Sequence, residues 1–65
     1  MYAIRNKRTK KWLYGTDYRY SPPHQRTSKN KVCVFEDYKT AELEFKFRGC
    51  GNDYEIALIK IEAEE

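Results

Sequence analysis

The chain has 65 residues, 13 Lys/Arg against 10 Asp/Glu, a formal net charge of +3 and a hydrophobic fraction of 40%. That length allows one domain, residues 1–65, which buries only about 60% of the surface its unfolded form exposes, so the core has to be small and largely aromatic; six Tyr, three Phe and one Trp supply it. The hydrophobic fraction excludes a disordered chain, and no apolar run approaches the roughly 18 residues a membrane-spanning helix needs.

Met1 is followed directly by strand-like sequence with no apolar signal segment, so a soluble, cytoplasmic protein is expected. Charge is uneven along the chain. Residues 1–31 hold nine Lys/Arg and one Asp, whereas residues 32–65 hold four Lys/Arg and nine Asp/Glu. A basic end suits a polyanionic partner, either nucleic acid or the acidic face of a protein; the alternative is that the halves lie together and neutralise each other.

Met1-Tyr2-Ala3-Ile4-Arg5 and Lys11-Trp12-Leu13-Tyr14, joined through Asn6-Lys7-Arg8-Thr9-Lys10, read as a hairpin. Alternation predicts Tyr2 and Ile4 on one side of the first strand and Trp12 and Tyr14 on one side of the second, an arrangement that allows an aromatic cross-strand cluster. Gly15-Thr16-Asp17 reads as a bulge or bend, after which Tyr18-Arg19-Tyr20 continues the strand. Ser21 to Lys31 contains no apolar residue beyond Pro22 and Pro23 and is expected to be a long, extended loop, a length more often functional than that of shorter connections. A plain crossing connection between sheet edges is the other reading.

Val32-Cys33-Val34-Phe35 reads as a buried strand. The next segment carries two patterns. Glu42 to Arg48 alternates as a strand does, which would make Gly49 to Asp53 a hairpin turn. A helix is favoured because Asp37 is a good N-cap, most residues from Ala41 to Arg48 are helix formers, and Glu42/Lys46 and Glu44/Arg48 are spaced i, i+4 with the acid first. Gly49 or Gly51 then closes it. On a helix, Tyr38, Ala41 and Phe45 share one face, and Leu43 and Phe47 lie nearly opposite. One face packs on the sheet; the other needs the long loop, a second copy of the chain or a partner to cover it. Tyr54 to Ile61 is the most apolar segment and reads as an inner strand, followed by the charged tail Glu62-Ala63-Glu64-Glu65, which is expected to fray.

The residues that carry chemistry are few. Cys33 is assigned to the core and Cys50 to the turn after the helix; a disulfide between them is sterically allowed, but the expected compartment keeps thiols reduced. A zinc site from Cys33, Cys50 and His24 lacks an obvious fourth ligand and any paired Cys spacing, so no metal or other cofactor is expected. The single His lies in a Pro-rich segment without a nucleophile at motif spacing, and no phosphate-binding Gly loop occurs, so the chain reads as no enzyme. The stronger signal is Arg5, Lys7, Arg8, Lys10 and Lys11 at the hairpin tip, with Arg19 and Arg26 beyond and aromatics interleaved, because cations meet phosphates and rings stack on bases. A Lys-rich hairpin also keeps an exposed edge from pairing with other chains.

The order Met1-Tyr2-Ala3-Ile4-Arg5-Asn6-Lys7, Thr9-Lys10-Lys11-Trp12-Leu13, Phe35-Glu36-Asp37-Tyr38 with Ala41, and Asp53-Tyr54-Glu55-Ile56 resembles small accessory proteins encoded by bacteriophages and prophages. Such hairpins often place Gly where this chain has Lys10. The resemblance implies a product that binds and inhibits host machinery, including restriction or CRISPR nucleases. From Met1 to Arg48 the segment order is also similar to the three-stranded, one-helix DNA-binding domains of phage-type integrases, which lack the final strand. Neither resemblance transfers a functional residue.

The expected fold is α+β, a small antiparallel sheet of three to four strands with one helix packed on one face, in the order β-β-β-α-β. The expected function is binding and modulation of a host protein through Leu43 and Phe47 together with His24 and Arg26 of the long loop. The alternative is direct DNA or RNA contact through Arg5, Lys7, Arg8, Lys10, Lys11 and Arg19. A homodimer through the Leu43/Phe47 face is the third.

Overall fold

The computed structural model describes residues 1–59. Asn6 starts the first hairpin by taking two roles. Its side-chain Oδ1 accepts from the backbone N–H of Arg8 (2.8 Å) and Thr9 (2.9 Å), while its carbonyl accepts from Lys10 N–H at 2.9 Å. Such self-contained bonding is what Asn contributes to turns. Lys10 then takes a left-handed φ of 63°, a conformation that costs glycine least.

The turn joins β1 (Tyr2–Asn6) to β2 (Trp12–Asp17), and β3 (His24–Ser28) follows, then β4 (Val34–Phe35), α1 (Tyr38–Phe47) and β5 (Tyr54–Leu58). The fold is α+β, with five strands, every pairing antiparallel, and one helix. β1 is the hub. β5 pairs along its whole length, from Tyr2↔Leu58 to Asn6↔Tyr54. Its other edge is shared between β2, at Arg5↔Trp12, and β4, at Tyr2↔Phe35 and Ala3↔Val34. β4 therefore runs parallel to β5 across β1, and α1 makes the crossover that parallel strands require.

The added strand is β3, which lies within the stretch expected to be loop. It pairs with β2 from Trp12↔Ser28 to Asp17↔His24. The ladder forms without apolar side chains because an edge strand exposed to water draws its order from backbone bonds rather than from burial. The Ser21–Pro22 peptide preceding it is cis. The pairing shifts register between Leu13 and Gly15, as the bulge reading predicts. The strand does not continue through Tyr18–Tyr20, because the Asp17 carboxylate accepts the Arg19 backbone N–H at 3.0 Å and turns the chain.

Three further expectations are corrected. The run Val32–Phe35 is a strand only at Val34–Phe35, and Val32 and Val34 are exposed rather than buried, because β4 meets only the end of β1. Cys33 holds this segment to β2 instead, donating from its N–H to Leu13 O (3.0 Å) and from its thiol to Tyr14 O (3.3 Å). The last strand is an edge rather than an inner strand, paired with β1 alone among the described residues; Lys60, Ile61 and the charged tail lie outside them. The aromatic cluster does not form either. The register Arg5↔Trp12 turns Trp12 away from Tyr2 and Ile4, and the Arg5 guanidinium lies 5.6 Å from the indole centroid, while Tyr2 meets Tyr38 of the helix edge-on at 5.6 Å.

The same parity brings Ile4 and Leu13 to the helix side, where both are fully buried with Ala41 of α1. Ala41, having only a methyl group, lets the helix approach the sheet closely. The helix itself follows the expected signals. Asp37 Oδ1 accepts Thr40 N–H at 2.7 Å, which caps the N-terminus and holds the Asp37 carboxyl below its ordinary range. At the other end Gly49 adopts φ 72°, with Gly49 N–H donating to Lys46 O and Cys50 N–H to Phe45 O, both at 3.1 Å, the paired bonds of a Schellman closure. Of the two expected i, i+4 pairs, Glu44–Arg48 forms at 2.9 Å, while Glu42 and Lys46 are not within ion-pair distance.

Candidate docking surface

The candidate surface lies where the β2–β3 hairpin meets the C-terminus of α1. Arg48, the last helical cap residue, donates from Nη1 to Thr16 Oγ1 at 2.9 Å, the Thr16 hydroxyl donates to Gln25 Oε1 at 2.7 Å, and Gln25 Nε2 donates back to the Arg48 carbonyl at 2.6 Å. Glu44 holds the same guanidinium through Nε. This closed ring of bonds ties strand pair to helix end and satisfies a carbonyl the helix leaves unpaired. It fixes Phe47, one residue before Arg48, against Tyr18, whose ring meets it edge-on with centroids 6.0 Å apart. Phe47 nevertheless remains 76% exposed, Tyr18 52% and Leu43 59%.

Thr16 and Gln25 face the helix, so by strand alternation their neighbours Asp17, His24 and Arg26 face the other way. His24 stacks on Tyr20 with centroids 3.9 Å apart and planes 5° from parallel. Arg26 donates to Asp17 at 3.2 Å, and Arg19 grips the same carboxylate at 2.7 Å. These bonds, those from Arg19 foremost, hold the Asp17 carboxyl far below the usual carboxylate range. The four residues expected to form one partner surface are thus divided. Leu43 and Phe47 share the outer helix face, while His24 and Arg26 lie on the reverse side of the hairpin.

The basic tip is divided too. Arg5 Nε donates to the Glu55 carboxylate, and Lys10 lies 3.8 Å from it. Glu55 is pulled below its ordinary pKa, first by the Arg5 hydrogen bond, with Lys10 and Lys7 adding attraction. Here the basic and acidic halves of the chain do neutralise each other. Arg19 is bound to Asp17, whereas Lys7, Arg8 and Lys11 form no ion pair among the described residues.

No family model matches this chain, and no curated protein or solved structure matches it significantly. The surface is therefore read from its own chemistry. Tyr18 is the addition that the order of residues does not signal, since its contact with Phe47 depends on how the hairpin packs. Lys39 and Lys46 are signalled, because they lie at i−4 and i+3 from Leu43 and so share its stripe. Among the described residues no three His, Cys, Asp or Glu side chains converge to hold a metal. Cys50 is half-buried, and burial raises its pKa, which keeps it a thiol rather than a reactive thiolate. No described helix is long and apolar enough to cross a membrane.

Proposed function

We propose that this protein works by binding another protein, with Phe47, Leu43 and Tyr18 as the contact surface. The observation that carries the reading is Phe47, a large aromatic held 76% exposed by a hydrogen-bonded anchor at the neighbouring residue. Aromatic side chains in rigid surroundings are the usual anchors of protein interfaces. The resemblance to phage and prophage accessory proteins adds a candidate partner, a host protein that handles nucleic acid, and an outcome, its inhibition. A cytoplasmic setting belongs to the proposal, since that compartment keeps Cys33 and Cys50 as thiols.

The test is affinity capture from nuclease-treated lysate of the source cells, using the wild type, Phe47→Asp and a variant with Lys7, Arg8 and Lys11 changed to Ser. A captured protein lost with Phe47→Asp and kept with the hairpin variant supports the reading. Capture indifferent to Phe47→Asp refutes it.

A second reading, DNA or RNA contact, is favoured by one observation. The Asn6 bonds hold rigid a turn from which Lys7 and Arg8 stand exposed. It is the weaker reading because Arg5, Lys10, Arg19 and Arg26 already serve carboxylates of the fold.

A further inference from the structure

Resting on the protein-binding reading, we infer that the outer stripe of α1 together with Tyr18 receives an acidic, amphipathic segment of the partner. Successive residues turn about 100° around a helix, which gathers Lys46, Lys39, Leu43, Phe47 and Thr40 into an arc of about 120°. All five are exposed. No carboxylate lies within this arc. Glu42 and Glu44 stand on its two flanks, both only half-exposed, and Glu44 is turned to Arg48. The stripe therefore offers two apolar anchors and two ammonium groups that form no ion pair among the described residues, although Lys39 attracts the Asp37 carboxylate at the helix start, and Tyr18 extends the apolar part beyond the helix end.

Charge selects the occupant. A second copy docking antiparallel on a two-fold axis would bring the edge that carries Lys39 and Lys46 against the same edge of its partner, a like-charge arrangement. A nucleic-acid backbone would satisfy the two lysines but leave Leu43 and Phe47 in water. A peptide with aliphatic or aromatic residues on one side and Asp or Glu beside them satisfies both. The stripe from Lys39 to Phe47 is about 12 Å long, which fits two to three turns of a docked helix.

The experiment is selection from a displayed library of random 12-residue peptides on the wild-type protein alone, after which binding of the selected pool to Phe47→Asp and to Leu43→Asp is measured. Both variants are first checked by circular dichroism; the exposure of both side chains keeps the fold intact. The expected pool is enriched in Asp and Glu next to large apolar residues. Its members bind at least tenfold more weakly to Phe47→Asp and to the double variant Lys39→Glu/Lys46→Glu, and more weakly in high salt. Peptides that depend on Phe47 but show no acidic enrichment overturn the assigned chemistry while leaving the docking surface standing. A pool indifferent to both Phe47 and Leu43 overturns both. Sedimentation showing a dimer that Phe47→Asp dissociates assigns the stripe to a second copy instead, and binding of a 20-base-pair duplex lost on Phe47→Asp assigns it to nucleic acid; either result overturns the inference.

Discussion

Replacing Gly49 with alanine adds a single methyl group at the point where the helix hands over to the loop before β5. Gly49 sits at φ 72°, and a Cβ there would lie 3.4 Å from Pro23 Cδ, ordinary van der Waals contact, so the cost comes from the backbone rather than from a clash. A left-handed conformation costs an L-residue about 1–2 kcal/mol. Alanine also restricts the unfolded chain, which returns about 0.4–1 kcal/mol. The net destabilisation is about 1 kcal/mol, and for a domain of this size that lowers the melting temperature by about 4–8 °C. Thermal unfolding followed by far-ultraviolet circular dichroism measures it. Gly51→Ala is the control, because Gly51 has no positive φ and a Cβ there meets nothing within 4 Å. Equal melting temperatures for the two variants would refute the claim that the left-handed closure holds the helix end.

Lys10→Gly is the converse case: relieving φ 63° in the hairpin turn should raise stability by up to about 1 kcal/mol in a urea titration. Leu13→Ala empties a fully buried site and should cost about 2–5 kcal/mol. That is comparable to the whole stability of so small a domain, so loss of the cooperative thermal transition is the expected result. Asp17, Asp37 and Glu55 all have lowered pKa values. As pH falls through about 4 the unfolded chain takes up protons before these native carboxylates do, so their stabilisation, complete at neutral pH, is lost from there downward. Asp17→Asn should lower the urea midpoint at pH 7 and flatten its fall between pH 5 and 2. If the second functional reading holds, duplex affinity should follow salt with a logarithmic slope of roughly −3, the value for contact by Lys7, Arg8 and Lys11 alone; no binding at low salt removes that reading.

What could be read from the sequence was what local rules govern. The cap at Asp37, the Gly49 closure and the Glu44–Arg48 pair all act within a turn or two, and together they outweighed the strand-like alternation of Glu42 to Arg48. The bulge next to Gly15 and the division of the helix into an Ala41 face and a Leu43/Phe47 face were legible for the same reason. The misreadings concern pairing over distance. His24–Ser28 has no apolar pattern to announce it and becomes a strand only because β2 supplies the ladder. Register, not composition, sets the parity of Trp12, so alternation within β2 alone does not show which side of the sheet it takes. Of the expected site, Leu43 and Phe47 stand together as their helical spacing requires, whereas His24 and Arg26 could join them only from a loop, and both belong to β3. Strand alternation turns them to the reverse side.

The position of β1 has a bearing on how the chain reaches this fold. Its longest ladder is with β5, near the opposite end of the sequence, whereas its pairing with the neighbouring β2 is confined to one register position. The most local hairpin therefore contributes little of the ladder that holds the central strand. One whole edge of β1 is paired only by Tyr54–Leu58, so the central strand of the sheet depends on contacts far apart in sequence, the kind whose loop-closure entropy slows folding.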